Sequence, residues 1–375
     1  MIDEVIPVDR YTVQLRLSEP YGGILTNLDY VVMLSKESPP SPDSPPIGTG
    51  PFRFVEWVPG DHLTLERFPD YWQEGLPYLD RLIFKPIPDE QTRIANLEAD
   101  VVQFLPEITP EQIPRIQQNK DLKIIEGSPG TMLRVLIFVT DVPPMDNLLV
   151  RRAVAHAIDR EGFVEAVLYG IGTPSENIYS PANPYCNPNT AHAHPYDLET
   201  ARRLFEEAGY PEQFPEEAYP LRVTVPAGNT VLEKAAVLLQ SSLRKIGIEC
   251  KIEKYDVPTW LRLRESRPML ITYYSYAGVD PSIILSTNLL SPKKNLPHYY
   301  NDQLTQLMEE ARKTVDFETR KQMYYRIQEI IADEVPFSVI ASLPQVGAAR
   351  SYVEGLWLQP SWSLPIYHEV WLNKG

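Results

Sequence analysis

The residues best suited to holding a small molecule lie between Met269 and Ser291, in the segment MLITYYSYAGVDPSIILSTNLLS. An apolar run leads into Tyr273, Tyr274 and Tyr276, then Ala277, Gly278 and the pair Asp280-Pro281. Tyrosine rings can hold a ligand's backbone or a sugar face with little loss of side-chain entropy. A strand ending in such residues puts them where open α/β sheets bind ligands, beyond the carboxyl ends of their strands. The plainer alternative is that these rings pack the strand edge. His192 and His194 form a second cluster, His-Ala-His in a proline-flanked loop. Alternate residues of an extended segment share a face, so the pair has the spacing of two metal ligands. No cysteine or carboxylate cluster accompanies them, which favours a solvated loop and no metal site.

Catalysis finds little support. The sequence contains no GxSxG, no HExxH, no P-loop and no glycine fingerprint at a strand-to-helix junction. Cys186 has no helix start or basic neighbour in sequence that would favour a thiolate. No catalytic residue and no cofactor is therefore assigned. Cys186 and Cys250 are the two cysteines; a disulfide between them and two free thiols are both open, the second being simpler. The formal net charge of −15 repels phosphate backbones, so nucleic acid and anionic membranes are not expected partners. Thirty-seven prolines against 18 glycines indicate many loops of restricted freedom. A hydrophobic content of 43% gives material for a large core. No apolar run approaches the roughly 20 residues that cross a bilayer. Met1-Ile2-Asp3-Glu4-Val5 lacks the charged and apolar regions of a signal peptide, which on its own points to the cytosol.

The elements that must position these residues follow from periodicity. Alternation predicts strands at Tyr11–Leu17, from Phe52 past Phe54, through Leu63 and Leu65, and at Leu82–Phe84. The first of these near Phe52 reads as half-buried. Further strands are expected at 101–104, 122–125, 132–139, 221–225, 248–252, 269–274 and 337–341. Helical spacing predicts one long helix from Asp146 to Gly170, capped by Asp146, with Arg151, Arg152 and Arg160 mostly off its apolar stripe. Other helices are expected at 89–99 capped by Asp89, after Asp197, from Thr230 with Glu233 as a capping box, at 258–265, after Asn301 and after Asp316. Ser38–Pro46 has five prolines in nine residues and reads as a linker or surface loop. Strand and helix alternate after residue 220, which predicts a mixed α/β sheet covered by helices.

Three stretches carry a resemblance. The first is Ile47–Phe84: GTGPFRF, a glycine-aspartate turn, then LER-x-PDYW-x-x-G-x-P-x-LDR-x-x-F. The second is VRRAVAHAIDREGFVEAVLYGIGTP, Val150–Pro174, and the third YDLETARRLFEEAGY, Tyr196–Tyr210. In this order they resemble the extracellular solute-binding proteins of family 5, the dipeptide, oligopeptide and nickel receptors of ABC importers. The resemblance implies a two-lobed α/β fold of the periplasmic-binding-protein type II class, closing around a solute. It implies residues 1–45 as a remnant of a small subdomain with a linker, 46–141 as the first part of lobe one, 142–343 as lobe two, and 344–375 as the return to lobe one. Family sequences usually have more chain ahead of the strand at Tyr11, so a truncated first lobe is expected.

The function implied is capture of a peptide-like solute by a monomer in the periplasm or at the cell surface, and its delivery to a membrane permease. A nickel, oligosaccharide or opine-like ligand is the alternative. A fragment that no longer transports and serves as an interaction or regulatory module is the alternative of another class. The resemblance also puts the Tyr273–Asp280 loop in the ligand cleft, with Tyr274 at the position of a pocket aromatic. Ala277 stands where peptide receptors have the aspartate that pairs with the peptide's α-amine. A buried ammonium without a counter-charge is costly. Capture of a free amine there would need Asp280, whose implied role is otherwise structural; a capped peptide or a sugar-containing solute is the other option. Trp260, Trp357 and Trp362 are secondary candidates for the cleft wall, with ordinary packing as their plainer role.

Overall fold

The computed structural model describes residues 2–28, 31–38, 45, 47–127, 132–275, 280–285, 290, 295–358 and 365–374. The chain divides into two compact units, one of Met1–Thr26 with Pro129–Leu343 and one of Asn27–Ser128 with Pro344–Gly375.

In the larger unit the chain runs through β1 (Met132–Phe138), α1 (Leu148–His156), α2 (Arg160–Leu168), β2 (Thr173–Pro174), α3 (Leu198–Ala208) and β3 (Leu221–Pro226). It continues through α4 (Thr230–Lys245), β4 (Cys250–Tyr255), α5 (Val257–Leu263), β5 (Met269–Ser275), α6 (Asp302–Lys313), α7 (Phe317–Glu334) and β6 (Phe337–Leu343). The six strands form one sheet in the order β4-β3-β5-β1-β6-β2. β3 is parallel to β4 and β5; the remaining pairs are antiparallel.

Both faces of this sheet are buried, which explains why β1 and β6 are apolar almost throughout. Along β1, Leu136 and Phe138 pack beneath α1, α2, α3 and α4. Leu133, Val135 and Ile137 point the other way, onto α6, α7 and the long loop that carries Tyr179 and Tyr185. Each fully buried side chain of this size contributes about 1.5–3 kcal/mol relative to exposure. The two halves of a period-two pattern thus serve two cores.

The expected helix caps at Asp89, Asp197, Asn301 and Asp316 are present, each side chain accepting a backbone N–H of the first turn. Three expectations for the larger unit are corrected. The helix from Asp146 to Gly170 is two helices. Asn147 caps the first, and the Asp159 carboxylate accepts the Gly162 N–H to cap the second. A short acidic side chain that can bond the backbone locally restarts the helix where apolar spacing alone would continue it. Second, the cap of α4 is Asn229, not Thr230, and Glu233 reaches back to the Gly228 N–H.

Third, Arg151 and Arg160 are buried. Arg151 donates to the carbonyls of Met145, Glu334 and Val335. Arg160 donates to the carbonyls of Val339 and His194 and to Ser338 Oγ. A guanidinium's five donors let it satisfy chain ends that carry no side-chain signal.

At the chain's start, Ile2–Pro7 pairs with Val13–Leu17 as an exposed hairpin, a partner strand the pattern does not announce. Glu19 then pairs with Arg312 and Lys313.

In the smaller unit the expected meander is present as Phe52–Val58, His62–Arg67 and Arg81–Phe84. Its first strand is not half-buried; Trp57 is 59% exposed and Phe54 39%. A bulge between Phe54 and Glu56 breaks the alternation on which that expectation rests. A second sheet orders Phe104–Leu105, Val346–Arg350 and Leu122–Glu126. Of the strand expected at 101–104, only Phe104 is paired.

Arg151→Ala should lower the unfolding free energy by roughly 3 kcal/mol, because buried carbonyls left without donors cost about 1–3 kcal/mol each. Urea denaturation followed by circular dichroism checks this. A loss within experimental scatter would show that those carbonyls find other donors.

Candidate functional site

In the larger unit, β3 and β5 end side by side, next to the start of α4 and to α5. β3 finishes at Pro226; Gly228 then turns the chain with φ +87°, and Asn229 caps α4. β4 leads to Asp256, which caps α5 by accepting the Thr259 N–H. Beside these connections lies an open cavity of about 580 Å³, lined among others by Gly228, Asn229, Trp260, Arg264, Tyr273 and Tyr274.

Trp260 is 6% exposed, and its indole N–H has no acceptor among the described residues. One helical turn later, the Arg264 guanidinium lies 6.0 Å from the Trp260 ring centroid. Tyr273 is 54% exposed. Its cross-strand partner in the β5–β1 register is Arg134, whose guanidinium stands 5.8 Å from the ring centroid. Burial raises the Tyr274 phenol above its ordinary pKa, with Arg264 opposing, so the hydroxyl is a proton donor at neutral pH. The wall is thus aromatic and cationic. It can hold a flat or extended solute by its faces and an anionic group by its donors. Arg134 and Arg264 escaped the sequence analysis. The four-residue spacing of Trp260 and Arg264 is the signal that could have found the second.

Of the expected ligand residues, Tyr273, Tyr274 and Trp260 come together here. Tyr276, Ala277 and Trp362 lie outside the described residues. Trp357 is half-exposed in the smaller unit. Asp280 is not in the cavity wall. It is 2% exposed and bound through both oxygens by Arg320, at 2.8 and 3.1 Å. Its Oδ1 also accepts the Ser282 N–H at 2.9 Å. Arg320 donates further to the Ala311 carbonyl and lies 5.4 Å from the rings of Tyr185 and Tyr324. Burial works against the Arg320 charge, and Asp280 more than offsets it, leaving its pKa above the usual value. Gly22 and Gly23 cross this pair so closely that a Cβ on Gly23 would stand 2.5 Å from Asp280 Oδ2. An acid this fully engaged cannot also serve a ligand's amine without leaving Arg320 unpaired.

The histidine pair is split. His192 is exposed, whereas His194 is half-buried with its ring 5.3 Å from that of His156. Burial, then His156, Arg160 and Arg152, push His194 down to about 3, so it is neutral at physiological pH. Among the described residues no group of three or more potential ligands could hold a metal. Cys186 and Cys250 are both free; burial pushes the Cys250 thiol up to about 12.

Residues 1–295 match the model of the bacterial extracellular solute-binding proteins, family 5 Middle. The chain belongs to this family. A relative is the glutathione-binding protein GsiB of Salmonella choleraesuis, 28% identical over 94% of this chain and 71% of that protein. A similar solved structure is the periplasmic binding protein DppA of Helicobacter pylori, in complex with the peptide STSA. It has a TM-score of 0.75 and 26% identity over all of this chain and 74% of that one. HbpA2 of Haemophilus parasuis gives a TM-score of 0.83 at 26% identity, over 99% of this chain and 75% of its own. The fold is that of the type II periplasmic binding proteins. Family 5 members are periplasmic binding proteins that work with ABC permeases.

Asp280→Asn should cost about 3–5 kcal/mol of stability, since it strands a buried guanidinium. Replacing both partners, as Asp280→Asn with Arg320→Met, should recover much of that loss in a double-mutant cycle read by chemical denaturation. Strictly additive losses would show that the two side chains do not depend on each other.

Proposed function

We propose that this protein is the solute-binding component of an ABC importer and that it captures a peptide-like solute by binding, without chemical turnover. It works outside the cytoplasmic membrane, in the periplasm or at the cell surface, as a monomer that hands its solute to the membrane permease. Membership of family 5 supports the class. The observation that carries the choice of site is the cavity where β3 and β5 end, walled by Trp260, Tyr273 and Tyr274. Strand ends in an open α/β sheet are where such proteins place ligands. Aromatic walls suit a peptide backbone, whose amide planes stack on rings at little entropic cost. Tyr273 and Tyr274 are the contacts to the solute, and Asp280 acts indirectly, by holding the chain that follows β5.

Addition of the dipeptide Ala-Phe or of glutathione should raise the unfolding temperature of the purified protein. At a hundred times the dissociation constant, binding stabilises by about 2.7 kcal/mol. Tyr273→Ala should diminish the shift while leaving the ligand-free midpoint nearly unchanged, because that ring is exposed. Absence of a shift with dipeptides, longer peptides and glutathione alike would overturn the assignment.

A further inference from the structure

In the smaller unit two β-sheets each present an unpaired edge to one groove. The strand Arg81–Phe84 closes the first sheet, bonded only to His62–Arg67 among the described residues. The strand Phe104–Leu105 closes the second, bonded only to Val346–Arg350. Both strands line a cavity of about 730 Å³, together with the chain at 85–87 and 101–103. The Tyr367 ring stands between them, 5.6 Å from that of Phe84 and 6.4 Å from that of Phe104, and nearly perpendicular to both. A strand set between two others needs roughly 9–10 Å between its neighbours. A ring in contact on both sides spans a gap of that order.

The edge at Arg81–Phe84 is open. Ile83 is 53% exposed and Phe84 37%, and no proline or bulge interrupts the strand. The free N–H and C=O groups of such an edge are a template for another strand. An apolar small molecule could cover the rings, but only a polypeptide backbone pairs with both edges. Charge narrows the choice further. No carboxylate lines the groove among the described residues. Glu66, opposite Arg81 in the register, is taken by Arg53 at 2.7 Å. Arg81 and Lys85 therefore flank the open edge as cations, whereas Arg93 spends its donors on the Ile87 and Pro88 carbonyls and His62 is held by Asp61 and Glu56.

We propose that this groove seats an extended polypeptide strand that residues 1–375 do not supply, apolar at alternate positions and acidic beside Arg81 or Lys85. The strand would join the two sheets into one, lying at its middle. The chain spans 71% of the GsiB relative and 74% of DppA, so proteins of this fold carry chain with no counterpart here. The inference does not depend on the solute cavity of the larger unit.

Fluorescence anisotropy of the whole chain with labelled Asp-Val-Thr-Val-Thr-Val-Asp tests this. The peptide should bind saturably, and methylation of its alternate amide nitrogens, which removes the donors along one edge, should weaken it at least about tenfold. Ile83→Glu should weaken it by a similar factor and leave the thermal shift with Ala-Phe unchanged. Exchanging the peptide's Asp for Asn should weaken binding to wild type, and the double variant Arg81→Met, Lys85→Met should erase that difference. Hydrogen exchange with bound peptide should slow at 81–87 and 103–106. Equal affinity for the methylated and unmethylated peptides would overturn strand pairing and leave an apolar groove for small molecules. A dimer without peptide in analytical ultracentrifugation, dissociated by Ile83→Glu, would overturn the proposal in favour of a second copy, and absence of peptide binding would overturn it outright.

Discussion

The ion pair of Asp280 and Arg320 is the constraint on which the packing beyond β5 in the larger unit depends. It joins the chain just beyond β5 to α7, and through Arg320 Nε to the last turn of α6. Tyr185 and Tyr324, packed edge to face, both lie against the guanidinium, so the long loop before α3 is fastened to the same point. Tyr21 reaches Ser282, and Gly22 donates to the Arg312 carbonyl, which brings the start of the chain to it as well. A buried pair of this kind adds little net stability over a well-packed apolar substitute. Its contribution is uniqueness: one arrangement satisfies both ions, and every segment named here is specified by that arrangement.

This constraint has a functional consequence. Asp280 stands three residues after Ala277 and is the acid one would enlist to receive a solute's amine. Engaged by Arg320 and Ser282, it is withdrawn from that task. The charge left in the β3–β5 cavity is positive.

Where local rules act, the sequence discloses the structure. Asp89, Asp197, Asn301 and Asp316 cap helices because a short acceptor next to free N–H groups needs no distant partner. Leu133 to Phe138 reads as a strand because alternate residues serve two cores. Tyr273, Tyr274 and Trp260, which the sequence offers as site candidates, stand together at one cavity because a strand end and a neighbouring helix bring them there. What stays hidden depends on residues far apart. Arg151, Arg160 and Arg320 look like solvent-facing charges until the carbonyls of Val335, Val339 and Ala311 arrive beneath them. Asp159 splits a helix that its apolar spacing would carry through. Arg134 gains its place over Tyr273 from the β5–β1 register, and Asp280 loses its availability to a partner 40 residues away.

The claim that solute binds at the ends of β3 and β5 is tested most directly by hydrogen–deuterium exchange with and without saturating Ala-Phe. The account predicts slowed exchange concentrated in three stretches of the larger unit: residues 226–232, 257–264 and 272–275. The peptides covering α1, α2 and α3 should exchange as they do without ligand. Protection confined to other segments, with these three stretches unchanged, would contradict it.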